Sequence, residues 1–161
     1  MKLSNEKDLR FAPMKVENEI VLMPDCWKVD YWASMGELSR FFMEVKENGR
    51  LMGTKCPECS SIYFWPRSWC HECYVDCEWV EMSGKGKLTV FGKVEISLSD
   101  LQKEVPYIQG GVHLEGARYA VAVCIRANYE DLYVGMPVKV EFLPPEERTG
   151  RIRDFYFVPD V

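Results

Sequence analysis

Histidine and long apolar runs are the two features that this sequence most clearly lacks. It contains only two histidines, which leaves little room for histidine-based catalysis or metal binding. It has no stretch of about 18 consecutive apolar residues, the length that a membrane helix needs. The first residues, MKLSNEKD, lack the apolar core of a signal peptide, and no glycine-rich phosphate loop is present. We therefore expect neither a membrane span nor an export signal.

Basic residues are also outnumbered. The chain has 20 Lys and Arg against 25 Asp and Glu, for a net charge of −5. A general DNA or RNA coat protein needs a basic face that neutralises phosphates, so this charge argues against that class and leaves room only for a local basic patch. With 161 residues, 47% of them hydrophobic, the chain can form one packed domain or two small ones.

Cysteine, in contrast, is plentiful, with seven residues. Together with the missing export signal, these cysteines favour a reducing, cytoplasmic location. In that compartment C-x-x-C pairs indicate metal or redox sites rather than disulfide frameworks. Two such pairs are present, at residues 56–59 and 70–73.

The two pairs predict a closed, structural zinc site whose ligands are Cys56, Cys59, Cys70 and Cys73. Four thiolates at this spacing suit a tetrahedral Zn²⁺ with Zn–S bonds of about 2.3 Å. Iron in the same ligand set is the main alternative, and a dithiol redox pair is less favoured because two pairs so close would chelate a metal first. Cys77 is a substitute ligand if the register shifts.

Aromatic side chains crowd the segment between the two cysteine pairs. Residues 62–69, IYFWPRSW, carry more rings than so small a unit can bury alone. Two interpretations remain open, a satellite cluster against a helix of the same chain and a contact surface for another protein. Trp65 and Trp69 are the candidate partner-binding residues of this segment.

A helix is predicted over residues 34–48. Ser34 and Glu37 have the spacing of a capping box, and Gly49 supplies a C-terminal stop. One apolar stripe follows the helical period, made of Leu38, Phe41, Phe42 and Val45. The stripe packs either on its own chain or against another subunit, and its two phenylalanines are candidate partner-binding residues.

Residues 1–30 have the character of an arm. Residues 16–23 could form one strand, bracketed by Pro13 and Pro24. The arm either packs on its own domain or lies over a partner.

The remaining residues alternate as strands. The five predicted strands cover residues 87–96, 111–114, 118–125, 138–142 and 151–158. With no intervening helix, they predict a small antiparallel barrel of the OB-fold type, with a bend at Gly92. The predicted fold is mainly β with an N-terminal helix, a rubredoxin-like zinc ribbon and a five-stranded OB-fold barrel. The predicted organisation is an arm at 1–30, a docking helix at 31–49, the ribbon at 50–82 and the barrel at 83–161.

No catalytic residue is predicted. Cys26 lies in the arm without a nearby histidine. Cys124 shares its strand face with Ala120 and Ala122, which favours a buried, apolar role. A pair formed by His113 and Cys124 is the remaining nucleophilic alternative. The basic segment at residues 83–87 could bind a phosphate through its backbone N–H groups and two lysines, or form only a turn that enters a strand.

Four motifs follow one another along the chain. They are ENGRLMGTKCPEC at 47–59, YFWPR at 63–67, WVEMSGKG at 79–86 and VGMPV at 134–138. In this order they resemble a known family, the zinc-ribbon/OB-fold acyl-CoA-associated proteins, long labelled a domain of unknown function. The resemblance covers residues 31–161. Two departures are Ser60, where a glycine commonly follows the first cysteine pair, and an arm that is longer than usual.

The resemblance implies that the chain is not catalytic alone but is a required small subunit of a thiolase-type acyl-CoA acyltransferase. Similar proteins serve acetoacetyl-CoA thiolase with hydroxymethylglutaryl-CoA synthase in archaea, sterol side-chain aldolases, and a thiolase that cleaves benzoylsuccinyl-CoA in toluene breakdown. In such complexes the thiolase-like large subunit carries the nucleophilic cysteine and the histidines. The small subunit docks by its helix and ribbon on a hetero-oligomer built around a thiolase dimer.

The same resemblance implies structural zinc, with CoA or acyl-CoA as a ligand of the whole complex. Lys85, Lys87 and Arg118 are the candidate contacts to the CoA phosphates, because charge-assisted hydrogen bonds to phosphate are strong. The alternative function is a single-stranded nucleic-acid-binding module, since zinc ribbons and OB barrels both occur there and aromatic rings stack on bases. The acidic net charge weighs against this alternative.

Overall fold

The structure, a computed structural model, describes residues 13–23, 31–96 and 105–160. The chain divides into two units, Met1–Ser34 and Met35–Val161. Most of the predicted arm, including Cys26, lies outside the described residues. Within the described ranges, no helix is both long enough and apolar enough to cross a membrane.

The described part of the first unit contains a β-hairpin. Strand β1 (Lys15–Glu17) pairs with strand β2 (Ile20–Leu22) in antiparallel register. Asn18 and Glu19 connect them with φ values of 52° and 66°, as the tight turns that suit hairpins require. The single strand predicted over 16–23 is therefore wrong, because the chain reverses direction at these two residues.

The predicted helix is present but begins later than expected. A 3₁₀ turn (Gly36–Leu38) leads into helix α1 (Ser39–Met43), and a π-helical turn (Glu44–Asn48) completes the segment. Its N-cap is Met35 rather than the predicted Ser34, and Met35 makes no side-chain capping hydrogen bond. The reason is that Gly36 has a φ of 54°, outside the right-handed helical region. Gly49 is left-handed, as predicted.

The ribbon contains a three-stranded antiparallel sheet in the order β4-β3-β5. Its strands are β3 (Met52–Lys55), β4 (Ile62–Tyr63) and β5 (Glu78–Glu81). Of these strands, only β4 falls within the aromatic segment at residues 62–69. The buried hydroxyl of Thr54 accepts a 2.9 Å hydrogen bond from the backbone N–H of Arg67, which ties the aromatic segment to β3.

Five strands form a closed barrel in the order β10-β8-β7-β6-β9. They are β6 (Lys85–Val94), β7 (Tyr107–Leu114), β8 (Val121–Ile125), β9 (Pro137–Phe142) and β10 (Phe155–Pro159). Only the pairing of β8 with β10 is parallel. This five-stranded closure is OB-like and confirms the predicted fold class.

Strand β7 begins four residues earlier than the sequence predicted. The glycines within it make the segment resemble a break, but Gly110 lies inside the barrel. A Cβ atom at Gly110 would come within 2.8 Å of side-chain carbons of Leu88 and Ile125. The glycine is therefore a close-packing position in a regular strand.

The predicted bend in the first barrel strand occurs at another place. The register of β6 against β7 shifts between Leu88 and Val90, whereas Gly92 pairs regularly with Gln109. A β-bulge of this kind bends and twists a strand without needing glycine.

One core joins the helix, the ribbon and the barrel of the second unit. Its buried members include Phe41 and Val45 from the helix, Met52 and Phe64 from the ribbon, and Phe157 from the barrel. The ribbon therefore packs on the barrel through side chains as well as depending on its cysteines.

Asp154 is the buried carboxylate that organises the turn before β10, and it is 1% exposed. Its carboxylate accepts hydrogen bonds from the backbone N–H groups of Thr149, Gly150 and Arg151 and from the Thr149 hydroxyl. Replacing Asp154 with alanine leaves four donors without their acceptor, so we expect the free energy of unfolding to fall by about 2–4 kcal/mol.

Chemical denaturation measures this change. Asp154→Asn keeps one oxygen for the backbone donors and should cost less than the alanine variant. Asp131, on an exposed turn, accepts from Asn128, and its alanine variant should stay within about 0.5 kcal/mol of the wild type. Equal stability of the wild type and Asp154→Ala would contradict the proposed role of these hydrogen bonds.

Candidate metal centre and interaction surfaces

Two tight turns bring the four predicted zinc ligands together. The Sγ atoms of Cys56, Cys59, Cys70 and Cys73 all lie within 4.8 Å of one another. The Sγ atoms of Cys59 and Cys70 are 3.8 Å apart, and the edge of a tetrahedron with Zn–S bonds of 2.3 Å is about 3.8 Å. Sulfur positions of this kind fit a four-coordinate metal ion.

The two turns, here called knuckles, repeat the same backbone geometry. In the first, the N–H of Ser60 donates to the carbonyl of Cys56 at 3.0 Å, and the N–H of Cys56 donates to Ser61 at 2.9 Å. The second knuckle repeats both bonds at 2.9 Å, between Cys70, Tyr74 and Val75. The residue after the second cysteine is left-handed in each knuckle, with φ of 59° at Ser60 and 57° at Tyr74.

Tyr63 contacts the sulfur cluster through its buried hydroxyl group. Its hydroxyl lies 3.2 Å from Cys70 Sγ and 3.3 Å from His71 Nδ1. The hydrogen bond from Tyr63 lowers the pKa of Cys70 to about 6. The same bond, with burial, raises the pKa of Tyr63 above its usual range. A buried hydroxyl that orients a thiolate is the kind of outer-shell contact that metal ligands use.

The other thiols show that the cluster on its own does not favour full deprotonation. Burial raises the pKa of Cys73 to about 12, while hydrogen bonds to Ser61 lower the pKa of Cys59. A bound metal stabilises all four thiolates and displaces the remaining protons. The donor set and its spacing together support a structural zinc ion.

Cys77 is not one of the four clustered sulfurs. Its backbone N–H donates to the Ser68 carbonyl at 2.8 Å, and burial raises the pKa of its thiol. The four-sulfur arrangement is complete without it.

The four candidate partner-binding residues occupy different environments. Phe41 is 1% exposed. Its ring centroid lies between 5.2 and 6.4 Å from four other ring centroids, those of Phe42, Phe64, Trp65 and Phe155. Phe41 therefore packs on its own chain, which is the first of the two interpretations left open for the helix stripe. Phe42 is half-buried, whereas Trp65 and Trp69 are exposed.

The three candidate phosphate contacts are not equivalent. Arg118 donates to both carboxylate oxygens of Glu72 and to Ser61 Oγ, and it fastens the β7–β8 connection to the ribbon. Hydrogen bonding to Tyr119, followed by the charge of Glu72, raises the pKa of Arg118. Lys85 pairs with Asp160 at 3.2 Å.

Lys85 and Lys87 line a cavity of 580 Å³, which Arg118 does not line. Lys87 makes no ion pair among the residues that the structure describes, and it lies opposite His113 across the β6–β7 ladder. Of the three, Lys87 is therefore the most available cation for an anionic ligand.

The structure separates His113 and Cys124, the nucleophilic pair that the sequence left as an alternative. Cys124 lies opposite Gln109, four residues along β7 from His113, a distance of about 13 Å in an extended strand. His113 Nε2 contacts the Ala117 carbonyl at 2.8 Å. His113 and Cys124 therefore do not form a catalytic dyad.

Sequence reasoning missed Tyr74, whose ring is 79% exposed and stacks with Trp69 at a centroid distance of 6.0 Å and an angle of 20°. The available signal was its position directly after a cysteine pair, where a left-handed backbone is needed.

Comparisons with known proteins agree with this architecture. The family model described as "ChsH2, rubredoxin-like zinc ribbon domain" matches residues 43–79. A DUF35 domain-containing scaffold protein of Methanocaldococcus jannaschii is 30% identical over 105 residues, which cover 64% of this chain and 74% of the relative. A scaffold protein of the same description from Methanothermobacter thermautotrophicus is 24% identical over 110 residues, covering 67% and 83%.

Two solved structures share the fold. A structure named Ltp2-ChsH2(DUF35) aldolase matches with a TM-score of 0.64 and 22% identity, over 81% of this chain and 100% of the other. A DUF35-family protein of unknown function from Sulfolobus solfataricus matches with a TM-score of 0.57 and 18% identity, over 78% and 87% of the two chains.

Proposed function

We propose that this chain, which belongs to the DUF35 family of scaffold proteins, is a non-catalytic subunit that docks on a thiolase-type acyl-CoA enzyme. The observation that carries the proposal is a ribbon with four clustered cysteines and exposed aromatic rings, in a chain whose His113 and Cys124 lie apart. A solved structure of the same fold supports it, since the name of that structure joins a DUF35 chain to an aldolase.

The helix and the ribbon provide the docking surface in this proposal. The ring of Phe41 packs edge-on against Trp65, with centroids 5.5 Å apart. Phe41 thereby holds Trp65 from the core side, and Trp65 remains 37% exposed. Trp65, Trp69 and the half-buried Phe42 are the anchors, because large and preorganised aromatic rings bind with little loss of conformational entropy.

In this proposal the barrel lies beside the CoA or acyl-CoA site of the complex. Lys87, with Lys85 next to it on the same strand face, is the contact to a CoA phosphate. Arg118 acts instead as a structural tie, because Glu72 already occupies its guanidinium group. Thiolytic or Claisen-type bond chemistry belongs to the partner, and benzoylsuccinyl-CoA is one substrate that this assignment includes.

The test is reconstitution with a purified thiolase-type subunit from the same organism. We expect a stable complex that contains both chains on size-exclusion chromatography, and acyl-CoA thiolysis only when both are present. Lys87→Gln should raise the KM for CoA and leave assembly unchanged. A monomer that binds no thiolase-type subunit, or turnover by this chain alone, would overturn the proposal.

A further inference from the structure

Tyr74 occupies a backbone conformation that tyrosine rarely adopts. Its φ is 57°, in the left-handed region that glycine and asparagine accept but larger side chains disfavour. The hydrogen bond from its N–H to the Cys70 carbonyl fixes this conformation. A bulky side chain in an unfavourable conformation is a reason to look for function at that place.

Burial does not explain the tyrosine. Its side chain is 79% exposed, so it contributes little to the core of the chain. Its counterpart in the first knuckle is Ser60, which has the same conformation and presents only a hydroxymethyl group. The two knuckles therefore have the same backbone conformation and differ in the side chain that they expose at this position.

Tyr74 displays its ring together with that of Trp69. The two rings are stacked, and Trp69 is 51% exposed. A β-bridge between Trp69 and Asp76 holds the two ends of the segment together. Both rings thus lie on the second knuckle and support each other by stacking.

The unpaired charge beside the two rings is negative. Asp76, which forms the β-bridge with Trp69, has a carboxylate with no ion-pair partner within the described ranges, whereas Glu72 is already bound by Arg118. The nearest basic residue of the segment, Arg67, has its guanidinium group over the Tyr63 ring, 5.4 Å from the centroid. Phosphate groups would be repelled here, whereas an arginine or lysine side chain could meet both a carboxylate and an aromatic face.

We propose that Trp69 and Tyr74 are the anchor by which the ribbon binds the thiolase-type partner subunit, at a partner surface where an arginine or lysine borders an apolar pocket. This inference rests on the proposed function and specifies its interface. Tryptophan, tyrosine and arginine are the residues that most often dominate binding at protein interfaces.

The decisive variant is Tyr74→Gly. Glycine suits the left-handed position, so zinc content should remain at one equivalent and the melting temperature should stay within a few degrees of the wild type or rise. Binding to the partner subunit should weaken at least tenfold, measured by titration calorimetry with the purified thiolase-type subunit. Trp69→Ala should weaken binding to a similar extent.

The matched control is Ser60→Gly in the first knuckle. It makes the same backbone change at a position without a ring, so affinity for the partner should stay within twofold of the wild type. Tyr74→Asn, which also tolerates the left-handed conformation, provides a second variant that keeps a polar side chain and should weaken binding as Tyr74→Gly does.

The outcomes separate the two proposals. If the wild-type chain binds the partner and Tyr74→Gly binds equally well, the anchor is wrong and the proposed function stands. If the wild-type chain does not bind the partner at all, both fail. A gel shift with a single-stranded oligonucleotide at low salt that is lost in Tyr74→Gly would assign the ring pair to nucleic acid and overturn this inference.

Discussion

Replacing Cys70 with serine is expected to abolish zinc binding and to unfold the ribbon. Cys70 is fully buried and lies 3.8 Å from Cys59 across the sulfur cluster. Serine leaves three thiolates, and structural zinc sites provide about 10–16 kcal/mol of apparent binding energy that also stabilises the fold. Elemental analysis should find no stoichiometric zinc, and the melting temperature should drop by far more than for any surface substitution.

Two serine variants serve as controls for this result. Cys124 lies in β8 of the barrel, and Cys77 lies in the ribbon outside the four-sulfur group. Both Cys124→Ser and Cys77→Ser should keep one equivalent of zinc. Retention of zinc by Cys70→Ser, or its loss from Cys77→Ser, would show that the ligand set differs from the one assigned.

Replacing Phe41 with alanine is expected to lower the free energy of unfolding by about 3–5 kcal/mol, the usual cost of deleting a buried phenylalanine. The ring is 1% exposed and contacts aromatic side chains from the helix, the ribbon and the barrel. Its removal therefore opens a cavity where the three parts meet. Urea or guanidinium denaturation, followed by tryptophan fluorescence, measures the loss.

Phe42→Ala is the matched control, because Phe42 is the neighbouring phenylalanine and is only half-buried. Its substitution should cost less than half as much. Phe41→Leu should recover much of the lost stability by filling most of the volume. A change below about 1 kcal/mol for Phe41→Ala would contradict the central packing role of this ring.

The metal centre is the part of the molecule that the sequence predicts best. The spacing of the two C-x-x-C pairs names four residues, and the structure brings the same four together. Such a motif is local, because each pair forms one turn with a fixed hydrogen-bond pattern. The alternation of residues 138–142 likewise predicts β9, since every second side chain of that strand faces the core.

Other features depend on distant residues and could not be read from local patterns. Strand β7 contains two adjacent glycines that resemble a break until Leu88 and Ile125 are seen to fill the space beside Gly110. Arg118 looks like a free cation in the sequence, but Glu72, 46 residues earlier, binds it. The helix starts late because of the conformation of Gly36, which composition does not reveal.

The closing strand of the barrel has a consequence for the order in which the protein matures. Strand β10 pairs with both β8 and β9, so the barrel cannot close until residues 155–159 have left the ribosome. The ribbon is complete once β5 has emerged, well before that point. Proteins are made from the N-terminus at about 5–20 residues per second. The four cysteines are therefore available to bind their ion seconds before the barrel can close on the core that the ribbon and the barrel share.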